Sequence, residues 1–228
     1  MKTKSQSFKI LISTVILSLV SNFAIAQIPS DYKGKPFEDA FYKKGAQIIP
    51  GKVELGYYDL GGEGVAYHDV DKINNASGKL NLEQNCPPSG GINITDYVCH
   101  FRADEGVDVS YTKDLADFTH VNFFEPPVKQ FYIGWEANGE WTNYTVDVKF
   151  AGKYKIYALY GNEDNKAYLS INNKKAADIK LPKNTGSMHI WNKAEVGTIT
   201  FEKTGLNLLT LNYNEGANLA YFEFEFVE

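Results

Sequence analysis

One stretch of the chain, Phe131 to Val148, constrains the fold more than any other. Two strand-like runs, which carry two of the three tryptophans, flank a short break at Ala137-Asn138-Gly139. After the break the residues alternate, with Thr142, Tyr144, Val146, Val148 and Phe150 on one face and Asn143, Thr145, Asp147 and Lys149 on the other. A period of two with one polar face is typical of a strand in an antiparallel sheet. The stretch therefore predicts an all-β sandwich.

Short strands separated by turns account for most of the chain after Ile48. Asn172-Asn173 is a favourable pair for a hairpin turn, and no window has a helical period. Nine to ten strands at this spacing predict an antiparallel β-sandwich of the jelly-roll type. We expect it to span residues 48–228, with a turn-rich insertion at about 70–98. Residues 27–47 are expected to be a lead-in that packs loosely or starts an edge strand.

Residues 1–26 have the pattern of a signal peptide. Three lysines precede a short apolar core at Ile10 to Val20, and Ala24-Ile25-Ala26 forms a small-residue cleavage site. The apolar core is too short to span a bilayer. We therefore expect a secreted or periplasmic protein with no membrane span.

The charge of the expected mature chain disfavours two classes of partner. Without Lys2, Lys4 and Lys9, 20 basic residues remain against 28 acidic ones, a formal charge of −8. Nucleic acids and anionic membranes repel such a chain.

Residues typical of catalysis or metal binding do not form a recognisable motif. His68, His100, His120 and His189 lack metal-ligand spacing. Carboxylates are plentiful, but their spacing in the sequence does not establish the geometry that glycoside cleavage needs. We expect no enzymatic activity and no metal site.

The three tryptophans differ in their surroundings. Trp135 and Trp141 are expected to pack in the core or at a sheet end rather than to form ligand platforms. Trp191 lies in the polar run Ser187 to Lys193, where an exposed indole would require a function. Either ligand contact or core packing fits Trp191.

Four segments in order resemble the family 6 carbohydrate-binding modules and their family 35 relatives. They are IPGKVELGYYDLGGEGVAYHD from Ile49, FRADEGVDV from Phe101, YIGWEANGEWTNYTVDV from Tyr132 and GANLAYFEF from Gly216. The resemblance implies a β-sandwich without catalysis of its own, which binds a glycan in a cleft at the loop end. It also implies that the protein acts together with separately encoded glycoside hydrolases.

The resemblance also assigns residues to that cleft. Glu63 corresponds to the carboxylate, Phe101 and Trp191 to two aromatic platforms, and Asn218 to the amide. Met188 is the alternative to Trp191, and Tyr67 either lines the cleft or belongs to the core. The chemistry fits, because a sugar presents an apolar face to a ring and hydroxyls to polar groups.

The family's structural calcium site is altered in this chain. Glu54 keeps the first carboxylate, but Gly56 and Ala220 stand where the resemblance implies two further acidic ligands. Ca²⁺ usually takes 6–8 oxygen ligands. We therefore expect no calcium there.

Two other functions remain open on the sequence alone. One is an exported jelly-roll hydrolase or lyase that acts on polysaccharide. The other is a structural or adhesive envelope protein with a vestigial cleft, since Phe101 and Met188 depart from the usual aromatic set.

Cys86 and Cys99 are the two cysteines of the chain. Export would place them where disulfides persist, and Pro87 to Gly91 lets the chain fold back between them. The alternative is two unrelated buried thiols. We predict a bridge worth about 3 kcal/mol in the chain-entropy model. Thiol titration of the denatured, unreduced protein is expected to find no free thiol, and two titratable thiols would contradict the bridge.

Overall fold

The computed structural model describes residues 25–42, 44–80, 94–112, 121–162, 166–214 and 216–227. In this part of the chain two β-sheets face each other as a sandwich, which confirms the predicted all-β fold. The described strands are β1 Ile25–Ala26, β2 Gln47–Ile49, β3 Gly51–Glu54, β4 Tyr67–His68, β5 Val109–Tyr111, β6 Phe131–Ile133, β7 Trp141–Val148, β8 Gly152–Asn162, β9 Lys166–Ile171, β10 Lys174–Lys180, β11 Trp191–Phe201, β12 Thr204–Asn212 and β13 Ala217–Phe226.

Each sheet has one central path of hydrogen-bonded strands. The first sheet has the order β10-β9-β12-β7-β2. In addition, β1 pairs with β12 and β4 pairs with β7. The second sheet has the order β11-β8-β13-β6-β5, and β3 adds to β13. Most pairs are antiparallel, but β1–β12 and β2–β7 are parallel.

The hairpin between β9 and β10 forms where the sequence predicts it. Asn172 and Asn173 have φ angles of 48° and 66°. Two successive positive φ values suit a tight two-residue turn whose twist matches the flanking strands, and asparagine tolerates them better than most residues.

Strand β7 has the predicted inner face as far as Val148, whereas Phe150, predicted on the same face, lies beyond the strand and is 56% exposed. Tyr144, Val146 and Val148 are buried in the core between the sheets. The outer face is less open than predicted, because Asn143 and Thr145 are also buried. Asn143 Nδ2 donates to the Val65 carbonyl at 2.9 Å, so the segment before β4 covers this part of the sheet.

Helical turns occur where no helical period was found. The described residues contain a 3₁₀ turn at Leu55–Tyr57, a π-helix at Ala76–Leu80 and α1 at Ile94–Cys99. Strand β3 therefore ends at Glu54, directly before the 3₁₀ turn. None of the helices in the described part is long and apolar enough to cross a membrane.

The lead-in is part of the sandwich. Phe37 is buried in the core, and β2 pairs with the edge of β7. Residues 1–24 of the expected signal peptide lie outside the described residues, whereas Ile25 and Ala26 pair with Thr204 and Gly205. Cleavage after Ala26 stays a prediction.

The chain's only arginine joins separate segments in the interior. The Arg102 side chain is 4% exposed, and its guanidinium donates to the carbonyls of Tyr58 and Asp59 and to both Glu105 carboxylate oxygens. Its Cζ lies 3.3 Å from the centre of the Tyr58 ring. A planar fork of five donors suits such a site, whereas a lysine ammonium cannot reach all these acceptors.

Arg102→Lys tests this junction. The variant keeps the charge and the same kind of backbone at φ 50°, but it leaves buried carbonyls without a donor. We expect the free energy of unfolding to fall by about 3 kcal/mol, measured by denaturant titration. The control Lys149→Ala removes an exposed ion pair with Asp147 and should cost less than about 1 kcal/mol. Equal midpoints for the wild type and Arg102→Lys would contradict the role of Arg102.

Candidate functional site

The two residues expected to be aromatic platforms are both buried. Phe101 is 4% exposed and Trp191 is 1% exposed, and they belong to different apolar clusters. Neither ring offers a face to a ligand. The prediction that they form the walls of one cleft is therefore wrong in this structure.

Phe101 is covered by segments that are distant in sequence. Its ring stacks on Phe131 with 4.0 Å between centroids, and Phe37, Tyr57 and Tyr97 meet it at their edges. Phe37 comes from the lead-in and Tyr97 from α1. Both segments were expected to be peripheral, so their closure over Phe101 was not predicted from the sequence.

Trp191 packs on the outer face of the second sheet. There it forms a small cluster with Tyr132, Leu159, Ala220 and Tyr221. The amides of Phe123 and Phe124 donate to the Trp191 carbonyl at 2.9 and 3.0 Å. Core packing, the second alternative for this indole, is what the structure shows.

Asn218 and Tyr67 have structural contacts. Asn218 is buried, and its Nδ2 donates to the Met188 carbonyl at 2.8 Å. The buried Tyr67 ring packs edge-on against Tyr58, and its hydroxyl accepts the Gly106 amide at 3.4 Å. Of the two alternatives for Tyr67, the core is correct. Asn218 fixes the loop before β11 to the start of β13.

Glu63 is the exposed member of the predicted set. Its side chain is 52% exposed, and its Oε1 lies 2.5 Å from His68 Nδ1. This hydrogen bond raises the pKa of His68. His68 is in turn the cross-strand neighbour of Trp141, with 6.4 Å between the ring centroids. Glu63 is thereby connected to the surface around Trp141.

Several carboxylates hold loops in place at the end of the sandwich that carries Asp69, Val70 and Ala137, which we call the loop end. Glu140 accepts the amides of Val70 at 3.1 Å and Ala137 at 2.7 Å. Asp108 is buried and accepts the Asn75 amide. Burial raises the pKa of Asp69 to about 7 and that of Asp108 to about 6. No group of three or more His, Cys, Asp or Glu residues in the described ranges is placed to hold a metal ion.

The residues at the family's calcium position do not fit a calcium ion. A Cβ added at Gly56 would lie 2.6 Å from Phe131 Cβ, so a larger side chain is excluded there. Ala220 is fully buried beside Trp191. The pKa of Glu54, the remaining carboxylate, is raised by burial. Apolar neighbours supply no oxygen ligands.

A row of ligand-suited side chains crosses the outer face of the first sheet. Asn212 pairs with Trp141 on one side and Tyr168 on the other. Since neighbouring strands lie 4.7–4.9 Å apart, the backbones of the two aromatic residues are separated by about 10 Å. Behind this row, Thr210 Oγ1 donates to Asn143 Oδ1 at 2.6 Å.

Two hollows lie beside this row and share Trp141, Asn143 and Asn173. Their volumes are 240 Å³ and 300 Å³. One extends to Tyr32 and Gly64, and the other to Tyr168 and Asn212. We call this surface, defined by Trp141, Asn143, Tyr168, Asn173 and Asn212, the Trp141 groove.

The Asn212 amide has hydrogen-bonding capacity to spare in the Trp141 groove. Asn212 Nδ2 makes only long contacts, at 3.4–3.5 Å, with Tyr168 O, Ser170 Oγ and Thr210 O. Contacts of this length are weak. A ligand hydroxyl can therefore replace them at little cost.

Sequence reasoning assigned Trp141 and Trp135 to packing, and the structure differs for both. Trp141 is partly exposed in the groove, and Trp135 is 50% exposed at the loop end with a φ angle of 57°. The polar alternation of Asn143 and Thr145 was a signal for the outer face. It could not reveal that Tyr168 and Asn212 would lie in register with Trp141.

The predicted disulfide cannot be followed to its partner. Cys99 is buried in α1, and its Sγ lies 3.6 Å from the Tyr111 hydroxyl oxygen. Cys86 lies outside the described residues, so the bridge stays a prediction.

Several solved structures are similar to this chain at low identity. The module CsCBM6-3 from Clostridium stercorarium, in complex with cellobiose, matches at 13% identity and a TM-score of 0.47, over 81% of this chain and 99% of that chain. The module CBM6cm-2 of Cellvibrio mixtus lichenase 5A, in complex with cellotriose, matches at 18% identity and a TM-score of 0.41, over 54% and 88%. A β-1,3-glucan binding CBM6 from Bacillus halodurans matches at 18% and 0.38, over 53% and 86%. Comparison with curated proteins gives no match.

A protein-family model described as a carbohydrate binding module (family 35) matches residues 127–224. The match begins just before β6 and ends within β13, so it contains Trp141, Tyr168 and Asn212. Over these residues, which are less than half of the chain, the sequence is similar to the family 35 carbohydrate-binding modules.

Proposed function

We propose that the protein binds a polysaccharide in the Trp141 groove and does not transform it. The observation that carries this proposal is the row Tyr168, Asn212 and Trp141, in which two aromatic rings flank an amide with weak hydrogen bonds. Aromatic faces bury the C–H faces of sugars, and an amide both donates to and accepts from hydroxyls. The ring stacking and amide hydrogen bonds that the family resemblance implies for a loop-end cleft are thus proposed to occur on the outer face of the first sheet.

The shape of the groove favours an internal stretch of a glycan over a chain end. The two hollows lie on either side of Trp141 rather than forming one enclosed pocket. Glu63 lies next to Gly64, which lines the first hollow, and its carboxylate pairs with His68 beside Trp141. Glu63 is therefore proposed to contact the ligand at the rim.

The biological setting belongs to the same proposal. Export after removal of residues 1–26 would place the protein among extracellular or periplasmic glycans. A binder without catalysis would there hold substrate for separately encoded glycoside hydrolases.

The single substitution Trp141→Ala tests the groove. We expect glycan affinity to fall about tenfold or more, because a stacking face is lost. The ligand is first chosen on a glycan array, and affinity is then measured by isothermal titration calorimetry. Trp135→Ala is a matched control, since it removes an exposed indole at the loop end. If Trp135→Ala abolished binding while Trp141→Ala bound fully, the Trp141 groove would be contradicted and the binding site would instead lie at the loop end.

Incubation with the bound glycan tests the absence of catalysis. We expect no increase in reducing ends and no unsaturated products, because both Glu140 oxygens already accept loop amides. Asp69, with its pKa raised to about 7, is the carboxyl best suited to act as an acid. Product formation that disappears in Asp69→Asn would instead establish the hydrolase or lyase alternative.

A further inference from the structure

A second concavity lies at the end of the sandwich opposite the loop end. It is formed between the β9–β10 hairpin of the first sheet, the end of β11 in the second sheet and the β11–β12 connection that joins the two sheets, and its volume is 950 Å³. Ile171 and Ile199 lie among its lining residues, together with polar side chains from Asn172, Asn207, Thr198 and Thr200. This size is at the upper end of the usual range for ligand pockets.

The charge of this concavity is opposite to that of the chain. Its lining includes Lys153, Lys174, Lys175 and Lys203 against one carboxylate, Glu202. Four positive charges and one negative charge give a formal +3, whereas the expected mature chain carries −8. We call this concavity, defined by its four lysines, the basic cleft.

Three of the lysines are not neutralised by side chains in the part of the chain that the structure describes. Lys175 pairs with Asp178 at 2.6 Å and lies over the Tyr168 ring. Within the described residues, Lys153, Lys174 and Lys203 form no salt bridge, and all three are exposed. Like charges that converge on one concavity repel each other, and a bound anion relieves this repulsion.

The acidic residues of the loop end do not cancel this local charge. β8 has 11 residues between the two ends of the sandwich, which corresponds to about 35 Å at 3.3 Å per residue. The Debye length at physiological ionic strength is about 8 Å. An anion at the basic cleft is therefore screened from the carboxylates at the other end.

We infer that the basic cleft is a second binding site, for an acidic oligosaccharide. Lysine ammonium groups are mobile point charges, whereas bidentate capture of a single anion typically uses arginine. Several lysines around a wide cleft with amides and hydroxyls suit a ligand that carries repeated negative charges and many hydroxyls. The negative groups are carboxylates or sulfate esters on the sugar. The choice of a sugar rests on the proposed function, whereas the preference for anions rests on the cleft itself.

The cleft and the Trp141 groove lie on either side of one hairpin turn. Asn172 and Asn207 line the cleft. Their neighbours in the chain, Asn173 and Leu208, line the groove. A glycan that crosses the sheet face can thus continue over the turn into the cleft.

The test compares two triple variants that change charge equally. The cleft variant is Lys153→Gln/Lys174→Gln/Lys203→Gln, and the control is Lys72→Gln/Lys166→Gln/Lys180→Gln, at exposed positions outside the cleft. Lys175 is left intact because it contacts Tyr168 in the groove. Calorimetry uses an oligogalacturonate, a sulfated oligosaccharide and a neutral cello-oligosaccharide of similar length, each at low and high salt.

We expect at least one acidic oligosaccharide to bind, with an affinity that falls as salt increases. The cleft variant should weaken this binding about tenfold or more, and the control variant by no more than about twofold. Whether the carboxylated or the sulfated ligand binds identifies the anionic group. Neutral-ligand affinity should be the same in both variants.

Three results would overturn the inference. They are no binding of either acidic ligand at low salt, equal weakening by the two triple variants, and loss of acidic binding in Trp141→Ala but not in the cleft variant. A neutral ligand that never binds, while acidic binding depends on the three lysines, would refute the Trp141 groove and leave the cleft intact. Melting curves check that both variants are folded.

Discussion

The junction between Arg102 and the Tyr58–Asp59 segment is the interaction on which the arrangement of the structure depends. The guanidinium binds the carbonyls of this segment, and the Asp59 carboxylate accepts from the backbone amide and hydroxyl of Thr145 at 2.8 and 2.6 Å. Tyr32 of the lead-in donates to the same carboxylate at 2.7 Å. The lead-in, β7 and the segments around Tyr58 and Arg102 thus meet at one buried polar network. Burial raises the Asp59 pKa to about 6, so the network contains a carboxyl group that titrates under mildly acidic conditions.

The parts of the fold that depend on local sequence could be predicted. The alternation after Gly139 gave β7 and its inner face, and Asn172-Asn173 gave the hairpin turn. Both signals act over a few residues, where side-chain period and turn chemistry decide the outcome. The resemblance to family 6 and 35 modules correctly indicated the same class of sandwich.

The candidate site could not be predicted in the same way, because exposure depends on distant segments. Phe101 has an aromatic side chain in the expected place, but Phe37 and Tyr97 cover it. Trp191 lies in a polar run, and yet its ring is buried in a cluster with Tyr132 and Tyr221. Conversely, Trp141, Asn212 and Tyr168 form one row only because three strands pair in a particular register. Sequence spacing contains no information about that register.

The two proposed sites, the Trp141 groove and the basic cleft, would provide different kinds of recognition on one face and one end of the sandwich. Ring faces and amides discriminate by shape and hydroxyl orientation, whereas lysines attract any anion and act mainly on the rate of association. Because a single hairpin turn separates the two proposed sites, one glycan chain could contact both of them. A polymer with charged and neutral sections would be held in a defined direction along the sheet.

The three tryptophans occupy three different environments, and this makes the protein a natural fluorescence probe. Trp191 is sealed in an apolar cluster, Trp135 is half in water, and Trp141 is partly exposed in the groove. Native fluorescence is consequently the sum of three emission components: a blue one from buried Trp191, a red one from exposed Trp135 and an intermediate one from Trp141. A quencher in solution reaches Trp135 first and Trp191 last. An occupied groove would shield the intermediate component alone, so the spectrum itself distinguishes a ligand on the sheet face from one at the loop end.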